Sequence, residues 1–98
     1  MSNIAATIQN QIGNRALYML GAKNLIDHGD ALSFRIRGSR KANYIKVTLD
    51  PSDTYSIEFK KLGRAPAYKV TDVADFSGVY VDSLHAIIER TTGLYTSI

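Results

Sequence analysis

The chain has 98 residues, of which 45% are hydrophobic and 21% charged, with a net charge of +3 at pH 7 and no cysteine. This length fits a single domain over residues 1–98, and the composition is that of a globular protein. The lack of cysteine excludes disulfides, thiolate catalysis and cysteine-based metal sites, and a cytoplasmic location is expected. No apolar run of about 18 residues predicts a membrane span, and the first residues do not resemble a signal peptide.

The N-terminal segment predicts a helix over residues 3–20. Isoleucines recur every four residues from Ile4 to Ile12, which places them on one apolar stripe. Gly21 is suited to the left-handed conformation that ends many helices. Residues 24–30 are predicted to form a loop, because the sequence DHGD within them has the composition of a turn.

Three strands are predicted next, because apolar and polar residues alternate strictly. The apolar positions are Leu32, Phe34 and Ile36, then Ile45, Val47 and Leu49, then Tyr55, Ile57 and Phe59. This period gives each strand one apolar and one hydrated face, which is typical of an antiparallel sheet covered on one side. The segment near Tyr68–Val73 is predicted as a fourth strand, after a connection that includes residues 64–66.

A second helix is predicted from Tyr80 to Thr91, followed by Gly93 as its terminator. The order is therefore α-β-β-β-(β)-α. Because each helix must bury one stripe, the fold prediction is an α+β two-layer sandwich, with an antiparallel sheet of three or four strands and both helices on one face. The predicted core consists of the apolar strand positions other than Tyr55, together with Ile8, Ile12, Leu84 and Ile88.

No residue pattern predicts catalysis or a bound metal or cofactor. His28 lies between Asp27 and Asp30, but this arrangement is more typical of a turn than of a metal site. His85 and Glu89 share a helix face, yet two ligands do not complete a zinc site. The prediction is a non-enzymatic protein with no cofactor.

The stretch FRIRGSRKANYIK, from Phe34 to Lys46, has five basic residues and no acidic one. We predict that these five form the binding site: Arg35, Arg37, Arg40, Lys41 and Lys46. Arg35 and Arg37 are two residues apart on a predicted strand, so their side chains should leave one face about 6.7 Å apart. Tyr44 would place an aromatic ring near the edge of this surface. Tyr55 is a second candidate for the same role.

Three interpretations of this surface remain open. It can bind an acidic protein surface, it can bind single-stranded nucleic acid by charge and stacking, or it is only the hydrated side of a small sheet. The hydrated side of any small sheet carries charged residues, and Glu58 interrupts the positive surface, which favours the third interpretation.

The segments IGNRALYMLGAKNL, LDPSDTYSIEF and VYVDSLHAIIERTTGLYTSI resemble a family of short, mostly uncharacterised proteins of bacteriophages, prophages and conjugative elements. The likeness covers nearly the whole chain and is most specific in VYVD-x-L and TGLY-x-S-I. It implies a mobile-element accessory protein in a bacterial host cell, and proteins of that kind often act by occupying a host macromolecule, as anti-CRISPR inhibitors do.

The expected function is therefore binding to a host protein or ribonucleoprotein with an acidic surface, in the manner of an anti-defence inhibitor. The alternative is a nucleic-acid-binding protein that uses the basic sheet face and hairpin. A structural or self-assembling role is a third class. The resemblance transfers no site residues to this chain.

Overall fold

The computed structural model describes residues 3–37, 41–63 and 70–94. The helices are α1 (Asn3–Ile12), α2 (Asn14–Leu20) and α3 (Leu84–Thr92), and a 3₁₀ turn (Val81–Ser83) precedes α3. The strands are β1 (Lys23–Asp27), β2 (Ala31–Arg35), β3 (Tyr44–Leu49), β4 (Tyr55–Leu62) and β5 (Val70–Val79). The α+β class is confirmed. Among the described residues, no helix is long and apolar enough to cross a membrane.

The predicted N-terminal helix is interrupted at Gly13, so that two helices replace one. Gly13 has φ 90° and ψ 143°, a backbone conformation that residues with a Cβ rarely adopt. Its N–H still donates to the carbonyl of Gln9 at 2.9 Å, and its own carbonyl accepts from the N–H of Leu17 at 3.1 Å. Hydrogen bonding therefore continues across the break. The second helix ends at Gly21, which is left-handed as predicted.

The five strands pair antiparallel in chain order, so each strand neighbours the one before it. In the centre of the sheet, Phe34 pairs with Ile45, and Ile45 pairs with Phe59. Directly opposite residues point to the same face, so the apolar positions of β2, β3 and β4 come together on one side. Burial follows the predicted alternation in β3 and β4, whereas in β2 Ser33, on the face predicted to be hydrated, is buried as well and is hydrogen-bonded to His28.

Within the described residues the sheet has five strands, more than the three or four that were predicted. The additional strand is β1, which occupies most of the segment predicted as a loop. Its pairing with β2 shifts register between Lys23 and Ile26, and Asn24 has a positive φ of 55°. A bulge of this kind breaks the period of two, which removes the signal that identifies a strand from sequence.

The predicted fourth strand is present as β5, but it extends further along the chain than expected. It begins at Val70 and continues to Val79, whereas Tyr68 and the predicted connection at residues 64–66 lie outside the described residues. Its pairing with β4 shifts register twice, between Tyr55 and Ile57 and between Phe59 and Lys60 of β4. These shifts explain why the segment alternates imperfectly.

The hydrophobic core lies between the helices and one face of the sheet. All but one of the predicted core residues are buried; Leu49 is partly buried and packs against the others. Several fully buried side chains come from distant parts of the chain, namely Ile8, Ile12, Phe34, Phe59, Leu84 and Ile88. The N-terminal and C-terminal helices therefore cover the same face, as the two-layer prediction requires.

A hydrogen bond joins the two ends of the chain across the helical layer. The ring Nε2 of His85 in α3 lies 2.6 Å from the carbonyl oxygen of Ile12, the last residue of α1. The last carbonyls of a helix have no partner within the helix, so a side-chain donor at this position stabilises the helix end. At the other end of α3, Gly93 is left-handed as predicted, and its N–H donates to the carbonyl of Glu89.

Candidate functional site

The face of the sheet opposite the helices, called here the open face, carries a row of side chains that crosses all five strands. Lys23 pairs with Arg35, Arg35 with Tyr44, Tyr44 with Lys60, and Lys60 with Asp72. Neighbouring strands lie about 4.8 Å apart, so each side chain in this row contacts or approaches the next. The row begins with two cations, continues through an aromatic ring and a third cation, and ends with an acid.

A second row on the open face lies beside the first. Ser33 pairs with Lys46, Lys46 with Glu58, and Glu58 with Asp75. The pairing of Lys46 with Glu58 is favourable, whereas Glu58 and Asp75 place two carboxylates directly opposite each other. Like charges at such positions are destabilising.

The two rows divide the open face into two halves of opposite charge. The positive half, on β1 to β3, consists of Lys23, Arg35 and Lys46. The negative half, on β4 and β5, consists of Glu58, Asp72 and Asp75. Lys60 lies within the negative half, where its Nζ is 3.9 Å from a carboxylate oxygen of Asp72. The open face is therefore bipolar and not uniformly basic.

The structure brings together two of the five predicted binding residues on the open face. Arg35 and Lys46 are half-buried neighbours on β2 and β3. Lys41 is exposed in the connection between these strands, and Arg40 lies outside the described residues. Lys23 also belongs to the positive half, since it pairs with Arg35. Lys23 was predicted to lie before a loop, because the irregular β1 has no strand signal.

Arg37 occupies a different position from the predicted one. β2 ends at Arg35, so the strand geometry that was expected to align Arg37 with Arg35 does not apply. The backbone N–H of Arg37 instead donates to the carbonyl of Leu20 at 3.1 Å, at the C-terminal end of α2. Its exposed side chain begins close to Gly21, where a Cβ added to the glycine would lie 3.0 Å from the Cβ of Arg37.

The two tyrosines predicted near this surface are separated by the sheet. Tyr44 is half-buried on the open face, directly between Arg35 and Lys60. Tyr55 faces the helices and is 4% exposed, so it adds nothing to the binding surface. Burial raises the pKa of Tyr55 above its ordinary value, and the negative charge of Asp53 raises it further.

Asn43 holds the end of the positive half in place, a role that the sequence did not reveal. Its side-chain Oδ1 accepts the backbone N–H of Leu62 at 2.7 Å, and its Nδ2 donates to the carbonyl of Leu62 at 3.0 Å. Its own backbone N–H donates to the carbonyl of Lys60 at 3.0 Å. The amide therefore continues the ladder between β3 and β4 beside Tyr44, as an additional peptide group would.

The residues considered for metal binding serve the turn between β1 and β2. The N–H of Gly29 donates to Oδ1 of Asp27 at 2.7 Å, and Nε2 of His28 is hydrogen-bonded to Oγ of Ser33 at 2.7 Å. Within residues 3–37, 41–63 and 70–94, no group of three His, Cys, Asp or Glu side chains is placed to hold a metal ion.

No protein-family model matches this chain, and no curated protein or solved structure matches it. The open face is therefore interpreted from its own geometry and charge.

Proposed function

We propose that this protein is a non-enzymatic binding protein, without a cofactor, whose open face docks on a host protein or ribonucleoprotein. The observation that supports this is the positive half of the open face. Lys23, Arg35 and Lys46 come from three strands, and strand pairing holds them beside one another. The strands fix the backbone positions of these cations, so the charge pattern is present before a partner arrives and favours both the rate and the specificity of association with acidic groups.

The bipolar charge favours a protein partner over a nucleic acid. Lys46 lies directly opposite Glu58, and Glu58 lies directly opposite Asp75, so basic and acidic groups are one or two strand spacings apart. These spacings of about 5 to 10 Å are close to the Debye length of about 8 Å at physiological salt, so salt screens these charges only in part. A polyanion that crossed the face would therefore be repelled by the negative half. A protein surface can present acidic and basic groups to the matching halves.

The resemblance to mobile-element accessory proteins gives the proposal its more specific form. In that form the chain acts in the cytoplasm of a bacterial host as an anti-defence inhibitor of the anti-CRISPR type, occupying a host macromolecule stoichiometrically. This step depends on the sequence resemblance alone and not on the geometry of the open face.

Nucleic-acid binding is the second candidate, and one observation favours it. Tyr44 lies between Arg35 and Lys60 in the cross-strand row. An aromatic ring flanked by cations can stack on a base while the cations meet phosphates, and each stacked base contributes roughly 1–3 kcal/mol. The acceptor would be a short single strand confined to the positive half.

The test is a double charge reversal, Lys23→Glu with Arg35→Glu, compared with the parent chain in pull-downs from host lysate with and without nuclease. These two residues are a direct cross-strand pair, so the variant exchanges one like-charge pair for another and should remain folded. The matched control, Arg15→Glu with Arg90→Glu, makes the same change in net charge at exposed residues of the helical layer.

We expect a partner that survives nuclease, that the first variant loses and that the control retains. Equal retention by both variants, with circular dichroism showing that both are folded, would refute a role for the positive half. Recovery of nucleic acid alone would favour the second candidate. In that case Tyr44→Leu should weaken binding, and log affinity should fall against log salt with a slope of roughly −0.7 per phosphate contact.

A further inference from the structure

The last strand, β5, leaves one edge of the sheet without a partner in the described part of the chain. It is ten residues long, and only its final residue, Val79, is buried. β4 pairs with one edge of β5, and no described strand pairs with the other. A long free edge presents unpaired N–H and carbonyl groups that an extended segment can accept as a further strand.

Apolar side chains accompany this free edge. Val73 and Phe76 are 37% and 38% exposed, and Phe76 pairs with Ile57 on the helical face; Val70 is 54% exposed and pairs with Leu62 on the open face. The ring of Phe76 packs edge-on against the buried Phe59, with centroids 6.1 Å apart and planes at 86°. Phe76 therefore continues the hydrophobic core to the edge of the sheet, where the helices leave it partly uncovered.

The charge on β5 selects what can pair with it. β5 carries Asp72 and Asp75 and no basic residue. The Asp72 side chain is 87% exposed despite its contact with Lys60, and Asp75 lies opposite Glu58. A shallow depression of about 340 Å³ lies on the open face beside these carboxylates. A cation from an incoming strand would relieve the repulsion between Glu58 and Asp75.

A second copy of this chain does not satisfy these requirements. β5 of a second copy carries the same two carboxylates and no basic residue, and an antiparallel register can set Asp72 of each copy opposite Asp75 of the other. Both contacts would join like charges, which is a recognised way in which edge strands avoid self-association.

We propose that the free edge of β5 accepts, as a sixth strand, an extended segment of another protein in which basic and apolar residues alternate. The basic residues lie on the open face against Asp72 and Asp75, and the apolar residues lie on the helical face beside Phe76. Alternation is required because successive side chains of a strand point to opposite faces. This inference concerns the negative half of the sheet and does not depend on the proposed function of the positive half.

The test uses three capped synthetic peptides of about ten residues, matching the strand length. One alternates Lys and Val, the second has the same residues in two blocks, and the third alternates Glu and Val. Affinity is measured by calorimetry, and protection of β5 amides by hydrogen exchange with NMR detection. We expect the alternating Lys peptide to bind at least tenfold more tightly than the other two and to slow exchange of alternate amides in β5.

The variant Asp72→Lys with Asp75→Lys should reverse the preference, so that the Glu peptide binds more tightly than the Lys peptide. The control Lys23→Glu with Arg35→Glu should leave peptide binding unchanged, which separates this inference from the proposed function. Equal affinities for the alternating and block peptides, or binding without protection of β5, would overturn the proposal. So would concentration-dependent self-association through β5 in sedimentation experiments, which would assign the edge to a second copy.

Discussion

Replacement of Asn43 by alanine tests whether one side chain secures the register that builds the open face. Asn43 makes two hydrogen bonds to the backbone of Leu62, one as acceptor at 2.7 Å and one as donor at 3.0 Å. Asn43→Ala removes both bonds and leaves the N–H and the carbonyl of Leu62 without these partners. Both residues are half-buried, so water can replace the lost bonds only in part.

The expected cost follows from the two bonds. Each intramolecular hydrogen bond contributes about 1 kcal/mol net, so the variant should lose about 2 kcal/mol of unfolding free energy. For a domain of this size, that loss corresponds to a decrease in Tm of about 10 °C. It is a substantial fraction of the roughly 5–15 kcal/mol that stabilises a typical domain.

The assay is urea denaturation followed by circular dichroism, together with thermal unfolding. Asn10→Ala is the matched control, because it makes the same substitution at an exposed position of α1 and should change stability by less than about 0.5 kcal/mol. If Asn43→Ala unfolds within about 0.5 kcal/mol of the parent, the bonds to Leu62 do not secure the end of the β3–β4 ladder and the reasoning is refuted.

Three further perturbations test other parts of the fold. Gly13→Ala should lower the free energy of unfolding by roughly 1–3 kcal/mol, because alanine is strained at a φ of 90°. No atom lies within 4 Å of the added Cβ, so a steric clash adds nothing to this cost, and an unchanged denaturation midpoint would contradict the prediction. His85→Ala should lower the free energy of unfolding by about 1 kcal/mol, because it removes the hydrogen bond to Ile12. Amide hydrogens in the last turn of α1 should then exchange faster with solvent, and unchanged exchange would argue against this bond. The folded state holds the Tyr55 proton more tightly than the unfolded state, so this tyrosine's contribution to stability should be lost as pH rises above about 10. Tyr55→Phe should reduce that loss, and an identical alkaline loss in the variant would refute the reasoning.

The positive and negative halves of the open face meet between β3 and β4. Charges on neighbouring strands, such as Lys46 and Glu58, lie within a Debye length of each other, whereas Lys23 and Arg35 are three or four strand spacings from Asp72 and are largely screened from it. Lys60 connects them, because it neighbours Tyr44 in the cross-strand row and contacts Asp72. Reversals at the far edges, Lys23 on β1 and Asp72 on β5, therefore separate the two surfaces better than changes at Lys60.

The sequence by itself determined the class of the fold and most of its core. In β3 and β4 apolar and polar residues alternate and the apolar face is the buried one, so Ile45 and Phe59 meet on it, together with Phe34 of β2. The apolar stripes of the helices cover that same face, because a helix buries its stripe against the apolar side of a sheet. Local periodicity is therefore sufficient to predict which strand residues meet in the core where one face of the strand is apolar and the other is polar.

Only the tertiary structure decided the edges of the sheet and the charge pattern across it. A bulge near Asn24 hides β1, so Lys23 entered the positive half without a sequence signal. Asp72 and Asp75 reach the open face through a pairing with β4 that shifts register, and an inserted residue changes which face every later side chain occupies. The sequence therefore indicated a basic surface, whereas long-range strand pairing made that surface bipolar.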